Sequence, residues 1–341
     1  MTITNYPVNL FSDTQTRPTA GMRRAMAEAE VGDEQQFADP TVNALCERVA
    51  DLLGMEAAVF MPSGTMCNEI AIRVHVGAGG DAAFMHRTSH PLGFEAGGPA
   101  VLSGAVITTV DGERGMFTAD ALRAALHPPG SRYAPRNRLL TVEQTTNVAG
   151  GCVWPLAQVR DVLSVCFDHG IAAHLDGARL MNAVVASGVP AADWCAGFDT
   201  AWIDFTKGLG APVGAALAGP AALIDEVWRF KQMLGGAMRQ AGIIAAGALY
   251  ALDHHVERLA DDHALARELA DGLAGAGFQV GDVDTNIVVF EVPDTAAFLA
   301  RLAEQGVAMT PLGPTTVRAV THLDVDAAGI EQAIAAARAA G

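Results

Sequence analysis

Short apolar segments alternate with helix-type segments through the first two thirds of the chain, and this alternation limits the possible folds more than any other feature. The predicted strands are residues 57–61, 82–85, 105–110, 139–143, 171–175, 201–206 and 213–218. The predicted helices between them are residues 66–75, 118–126, 155–169 and 178–186, preceded by one at 40–53. Such alternation is typical of a mostly parallel, doubly wound sheet. We therefore predict an α/β fold with a large sheet of the seven-stranded type.

The pattern changes after residue 220. A helix at 221–232 and two long helices reaching about residue 274 precede a small α/β unit. This unit has predicted strands at 286–292, 307–310 and 315–320, and predicted helices at 295–305 and 327–339. We place the boundary within the long helices. This gives a large domain at 1–250, which includes an N-terminal arm, and a small C-terminal α/β domain at 251–341.

The composition limits the partners and the compartment. The 341 residues are 50% hydrophobic and carry a net charge of −16, which argues against nucleic acid or an anionic membrane as the main partner. No apolar run reaches the roughly 18 residues of a membrane span, and the N-terminus lacks the basic and apolar parts of a signal peptide. The five cysteines are scattered without a Cys-x-x-Cys pair. This pattern indicates reduced thiols in a cytoplasmic protein without a metal site.

Lys207 stands at the end of a predicted strand, in front of a glycine-rich turn. The only other lysine is Lys231. A lysine amine can lose its proton and form a Schiff base with a carbonyl compound, whereas an arginine cannot. A strand-end lysine that faces water explains this stretch equally well. A Schiff-base role for Lys207 therefore needs support from other residues.

Two more strand ends carry residues suited to binding a cofactor. The turn Ser63-Gly64-Thr65 lies between a strand and a helix, an arrangement that directs backbone N–H groups at a phosphate, although an ordinary helix N-cap would also explain it. Asp176 follows the strand at 171–175. A carboxylate there can keep a heteroaromatic nitrogen protonated, as the electron-sink chemistry of pyridoxal phosphate (PLP) requires. Because ligands of such sheets bind at the carboxyl ends of the strands, one crevice can hold all three elements.

Several stretches, in order over nearly the whole chain, carry a resemblance to a known family. They are residues 12–18 (SDTQTRP), 39–45 (DPTVNAL), 63–65 (SGT), 95–98 (EAGG) with His90, 176–179 (DGAR), 207–214 (KGLGAPVG), 238–242 (MRQAG) and 317–324 (VRAVTHLD). With these motifs the chain resembles the threonine aldolases of the PLP-dependent β-eliminating lyase superfamily. The resemblance implies the aspartate-aminotransferase-like fold type I and PLP as the cofactor.

The resemblance also implies a role for each motif residue. Lys207 would bind PLP covalently, Asp176 would pair with its pyridine nitrogen, and His90 would stack on its ring near the reacting centre. The phosphate would be held by the turn at Ser63, Gly64 and Thr65.

Other implied roles concern the substrate and the assembly. Ser12, Arg179 and Arg318 would bind the substrate carboxylate, with Arg179 also beside the cofactor. Arg239 would reach the phosphate of a neighbouring subunit, so that a homodimer or homotetramer would share its active sites.

The sequence departs from the family pattern at two positions expected near the substrate. Gln36 replaces a tyrosine, and Thr146 replaces a histidine expected near the substrate hydroxyl. A threonine cannot act as a base near neutral pH. We therefore expect a pocket that discriminates weakly between the configurations at the β-carbon and accepts a bulkier β-group than that of threonine.

Three interpretations of the function follow. The first is an aldolase that cleaves a β-hydroxy-α-amino acid to glycine and an aldehyde. The second is β-elimination or racemisation of a related amino acid, which the loss of the family histidine at Thr146 would make possible. The third is a non-catalytic relative that binds PLP or a partner.

Overall fold

The computed structural model describes residues 6–77 and 79–341. The strands are β1 (Val8–Asn9), β2 (Ala57–Met61), β3 (Ala82–His86), β4 (Val106–Val110), β5 (Asn137–Glu143), β6 (Ala172–Gly177), β7 (Thr200–Asp204), β8 (Ala215–Gly219), β9 (Ile287–Glu291), β10 (Val307–Ala308), β11 (Thr310–Pro311) and β12 (Thr316–Val320). The α-helices are α1 (Ala20–Ala27), α2 (Pro40–Leu53), α3 (Gly64–Val76), α4 (His90–Gly93), α5 (Gly98–Ser103), α6 (Ala119–Ala125), α7 (Leu156–His169), α8 (Leu180–Ser187), α9 (Ala191–Cys195), α10 (Ala221–Met233), α11 (Gly242–His254), α12 (Leu259–Gly275), α13 (Thr295–Glu304) and α14 (Ala327–Ala340).

Seven strands form the central sheet, in the order β2-β8-β7-β6-β5-β3-β4. Only β8 runs against its neighbours, β2 and β7; the other pairs are parallel. The predicted α/β fold with a mostly parallel sheet is thus confirmed. All seven strands predicted for this region are present, with ends shifted by two residues or fewer.

Apolar residues cover both faces of this sheet, as a doubly wound arrangement requires. In β8, Ala216 and Ala218 belong to the main core with α2, α7, α8 and α11. Ala215 and Leu217 point to the other face, where they pack with α3 and α10. Because both faces are buried, these strands consist of nearly continuous apolar residues, which is why the sequence pattern identified them.

A second core lies in the C-terminal part of the chain. An antiparallel sheet with the order β11-β12-β9 packs with α12, α13 and α14. Residues 307–310, predicted as one strand, form two short strands, because β10 pairs with β1 and β11 pairs with β12. Val8 and Leu10 of the N-terminal arm are buried in this second core. The arm, which we had assigned to the large domain, therefore packs against the C-terminal unit, and the boundary near residue 250 stays a prediction.

A helix that crosses a bilayer needs about 20 predominantly apolar residues. Within residues 6–77 and 79–341, no helix is both long enough and apolar enough to cross a bilayer.

Candidate active site

A cavity of about 530 Å³ lies at the carboxyl ends of the central strands. Its lining includes most of the residues singled out from the sequence. They are Ser12, Ser63, Gly64, Thr65, His90, Asp176, Arg179, Lys207 and Arg318. Further lining residues, not singled out, are Thr14, Phe94, Glu143, Asn147, Val148, Ala178, Trp202, Asp204, Thr206, Thr310, Pro311 and Leu312.

The N-terminus of α3 forms one wall of the cavity. The Ser63 hydroxyl caps this helix by accepting a hydrogen bond from the Met66 N–H at 3.2 Å. The N–H groups of Gly64 and Thr65 stand in the first turn and have no partner within the helix. A Cβ atom on Gly64 would lie 2.2 Å from the Trp202 ring, so glycine at this position allows the helix end to approach β7 closely. The wall thus offers two amides and a helix N-terminus to an anion.

Asp176, at the end of β6, is fully buried in the floor of the cavity. One of its oxygens accepts from the Ala178 N–H at 3.1 Å, and the other from Asn68 Nδ2 at 2.8 Å. Burial raises the pKa of Asp176, while His90 and the Asn68 hydrogen bond oppose the rise. Asn68 is itself fixed, because its Oδ1 accepts from Trp202 Nε1 at 2.8 Å.

His90 lines the cavity above this floor and is held by a carboxylate. Its Nδ1 lies 2.8 Å from Glu95 Oε1, and its ring stacks on Phe94 with centroids 5.4 Å apart. Burial lowers the pKa of His90, but the Glu95 hydrogen bond and the charges of Asp176 and Glu95 together raise it above 6.5. Since a carboxylate only accepts, Nδ1 carries the proton of this bond, which leaves Nε2 available to a ligand.

Lys207 reaches the cavity from the turn after β7. Its Nζ contacts Asp204 Oδ2 and lies 5.7 Å from the centre of the Trp202 ring. Asp204 Oδ1 also accepts the N–H and the hydroxyl of Thr206, each at 2.7 Å. Lys231, in contrast, is buried in an ion pair with Glu34 and does not line the cavity.

Two arginines enter the cavity with different electrostatic surroundings. Arg179 is paired with buried Asp13 through two bonds of 2.8 and 2.6 Å. Arg318 Nη1 donates to Asn147 Oδ1 at 2.7 Å, but its Nε has no acceptor and, among the residues described, no carboxylate forms a salt bridge with it. Burial, with the charge of Arg179, lowers the pKa of Arg318 to about 10. Arg318 is therefore a buried cation that remains open to an anionic ligand.

Known proteins that are similar to this chain identify its family. Residues 9–295 match the Beta-eliminating lyase family. The low-specificity L-threonine aldolase 1 of Arabidopsis thaliana is 37% identical, over 92% of this chain and 91% of its own length. The low specificity L-threonine aldolase of Escherichia coli O157:H7 is 39% identical, over 93% of this chain and 94% of its own.

The chain belongs to the threonine aldolase family. The solved structure of Leishmania major threonine aldolase has the same fold, with a TM-score of 0.84 at 20% identity over 97% of this chain and 99% of that one. The family assignment confirms the predicted enzyme class, a PLP-dependent carbon–carbon lyase.

Three of the site residues that we predicted from the sequence lie outside the cavity. Gln36 is exposed at the end of a short 3-10 helix, Glu34–Gln36. Thr146 is buried behind the cavity wall, where its hydroxyl accepts from the Cys152 N–H at 3.1 Å. Arg239 has a side chain 62% exposed and forms an ion pair with Asp33 at 2.9 Å. The cavity of this subunit is therefore formed without these three side chains.

Several residues that position the threonine aldolase site had no role in the sequence predictions. Glu95 stands inside a motif that we quoted, Asn147 directly follows Thr146, and Asp204 lies three residues before Lys207. A search for carboxylates close to Lys207 would have found Asp204. Asn68 gives no such signal, because a lone asparagine in a helix is ordinary in sequence.

The described side chains fit PLP. The α3 N-terminus can accept a phosphate, buried Asp176 can accept a pyridinium N–H, and the amine of Lys207 stands near both in one cavity. An anion site, a buried carboxylate and a lysine amine are the three groups that this cofactor needs.

Proposed function

We propose that this protein is a PLP-dependent aldolase that cleaves a β-hydroxy-α-amino acid, threonine or a bulkier analogue, to glycine and an aldehyde. The observation that carries the proposal is a single cavity lined by Lys207, Asp176 and Arg318, an arginine that forms no salt bridge with a carboxylate of the described residues. The family assignment and the relatives that are named threonine aldolases support it.

Each part of the cofactor has a proposed partner. Ser63, Gly64 and Thr65 would hold the phosphate, Asp176 would hold the ring nitrogen, and Lys207 would supply the amine for the covalent bond, with Arg179 as a further cofactor contact. When bound, PLP supplies an electron sink that takes up the electrons of the cleaved bond. His90 lies on the cavity wall that the ring would face, with Nδ1 committed to Glu95.

Arg318 is the proposed main partner of the substrate carboxylate, with Ser12 and Arg179 beside it. Arg179 already has its charge balanced by Asp13, whereas Arg318 gains a counter-ion only when the substrate enters. A carboxylate held at this point fixes the rotation of the amino acid about its Cα, and this orientation selects the bond that breaks.

The proton of the β-hydroxyl goes to Nε2 of His90. Loss of that proton allows the carbon–oxygen double bond of the aldehyde to form as the Cα–Cβ bond breaks, and a proton added at Cα completes glycine. Glu143 lies near the same centre, and burial together with the charge of Asp176 raises its pKa to about 8. A neutral Glu143 adds no second negative charge beside Asp176 at neutral pH.

Product analysis over a panel of threonine, allo-threonine and phenylserine tests the proposal. We expect equal amounts of glycine and aldehyde from each substrate that is consumed. Ammonia with a keto acid would point to β-elimination instead, and an inverted Cα configuration without cleavage would point to racemisation. No change of any amino acid, with PLP bound, would identify a non-catalytic relative.

We further propose that the protein forms at least a homodimer, in which Arg239 reaches the cofactor phosphate of a neighbouring site. Exposed apolar side chains support self-association: Phe94, which lines the cavity, is 57% exposed, and Val101 of α5 is 81% exposed. A cytoplasmic location is proposed as well. It is supported by the five cysteines, all within the described residues and all free of disulfides.

A further inference from the structure

Two buried glutamates pack behind His90. Glu69 lies on α3 and Glu95 follows α4, and their exposed fractions are 4% and 5%. Glu95 Oε1 accepts from His90 Nδ1 at 2.8 Å and from Asn68 Nδ2 at 2.7 Å. The other three carboxylate oxygens, both of Glu69 and Oε2 of Glu95, have no donor among the residues described.

The two carboxyl groups are close enough to hydrogen-bond to each other. The space for this contact depends on Gly98, because a Cβ atom there would lie 2.1 Å from Glu69 Oε1. In the described part of the chain, no lysine or arginine forms a salt bridge with either glutamate. The protein therefore places two acids side by side in its interior without a cation between them.

Two ionised carboxylates cannot remain adjacent in such surroundings, since burial and mutual repulsion both oppose the second charge. One of the pair must keep its proton. Burial, the hydrogen bond to Glu95 and the charge of Glu95 raise the pKa of Glu69 to about 9. A protonated Glu69 donates to Glu95, and this contact engages one oxygen of each group, so that two of the three oxygens gain a hydrogen bond.

We propose that Glu69 and Glu95 share one proton at neutral pH and act as positioning residues for His90. The Glu69 hydroxyl holds the Glu95 carboxylate on one side, and Glu95 then holds His90 on the other, with Nδ1 protonated and Nε2 free for the β-hydroxyl. The importance of this geometry for turnover rests on the proposed function of His90.

Asn68 extends the same network to the cofactor floor. Its Nδ2 donates to both Glu95 and Asp176. The charged groups that face His90 from the surrounding elements are Glu95, Asp176 and Lys207, with Glu143 nearby.

Infrared spectroscopy of the cofactor-free protein is the first test. We expect wild type at pH 7 to show a carbonyl band of a protonated carboxyl group that is missing in Glu69→Gln. The difference between these two proteins cancels any contribution of Glu143. Burial also raises the pKa of Glu143, so a Glu143→Gln protein that keeps the band at pH 7 tests the proposal even if Glu69→Gln does not fold. Identical spectra of wild type and Glu69→Gln at pH 7 would overturn it.

A matched pair of variants tests the positioning of His90. Gln at position 69 keeps a donor for Glu95, whereas Met keeps the length of the side chain but removes the donor. We expect the pKa of His90, measured by NMR without cofactor, to stay near the wild-type value in Glu69→Gln and to fall in Glu69→Met and in Glu95→Gln. We expect kcat of Glu69→Gln within about threefold of wild type and a loss of about tenfold or more in Glu69→Met, with KM little changed.

The outcomes separate the two proposals. Equal effects of Gln and Met at position 69, in both the pKa of His90 and kcat, would show that the Glu69 proton is not used. The expected infrared and NMR results in a protein without aldolase activity would leave the shared proton standing and refute the proposed function. Aldolase activity without the carboxyl band would refute the shared proton and leave the proposed function standing.

Discussion

Replacement of Arg318 by methionine is expected to stabilise the protein while it destroys substrate binding. Arg318 is 8% exposed and lacks a carboxylate partner among the described residues. Burial, with the charge of Arg179, lowers its pKa from 12.5 to about 10. At about 1.4 kcal/mol for each tenfold change, the folded protein holds this charge at a cost of about 3 kcal/mol.

The cost applies over the whole neutral range. A base whose pKa is lower in the folded state is penalised at every pH below that pKa, and the penalty shrinks only as the pH rises above about 10. Arg318→Met removes the charge but also the hydrogen bond to Asn147, which contributes about 1 kcal/mol. The free energy of unfolding without cofactor should therefore rise by about 2 kcal/mol at pH 7.

The same variant loses the proposed partner of the substrate carboxylate. A charge-assisted hydrogen bond to a carboxylate contributes about 1.5–3 kcal/mol, and a two-pronged contact more. We therefore expect KM to rise by about two orders of magnitude or more. Denaturant unfolding of the cofactor-free protein and substrate saturation curves measure the two effects.

Arg179→Met is the matched control. Its charge is balanced by buried Asp13, so its removal leaves a carboxylate unpaired and should lower the free energy of unfolding by about 3–5 kcal/mol. The reasoning is refuted if Arg318→Met unfolds more readily than wild type by as much as Arg179→Met, or if its KM is unchanged.

Three further predictions concern single residues and the assembly. Lys207→Ala should abolish turnover, and borohydride should no longer attach the cofactor to the chain; a label found on Lys231 in wild type would contradict this assignment. Thr146→Val should lower the free energy of unfolding by about 1 kcal/mol, since it removes the acceptor for the Cys152 N–H, and it should leave the weak preference between threonine and allo-threonine unaltered; a changed ratio of specificity constants would show that position 146 reaches the substrate. Light scattering at micromolar concentration should give at least a dimer, and Arg239→Ala should weaken PLP binding; a fully active monomer would exclude a shared site.

Strand positions were predictable because burial on both faces makes each strand of the central sheet a run of apolar residues. The same logic placed Asp176 and Lys207 at one edge, since the carboxyl ends of parallel strands meet there. The division of residues 307–310 into two strands was not predictable. It depends on β1, which supplies a partner from the opposite end of the chain.

The direction of a side chain in a loop is harder to predict than the position of the loop. Thr146 lies next to Asn147, which lines the cavity, yet Thr146 turns its hydroxyl to the backbone of Cys152. Motif position alone does not distinguish two such neighbours. Likewise, nothing in the sequence links Glu69 to Glu95, because their contact requires α3 to pack against the segment that contains Gly98.

The N-terminal arm can pack against the C-terminal unit only after that unit has been synthesised. Leu10 donates to Ala308 at 2.8 Å and accepts from Val320 at 2.9 Å, so the segment that leads to Ser12 is anchored by residues that are synthesised long after it. Contacts between such distant parts of a chain form late in folding. A ribosome-bound chain that ends before β12 lacks Arg318 and half the anchor of Ser12, even when the central sheet is complete. The proposed cofactor residues Asp176 and Lys207 can therefore be in place before β12 is synthesised, whereas the proposed site for the substrate carboxylate must wait for Arg318.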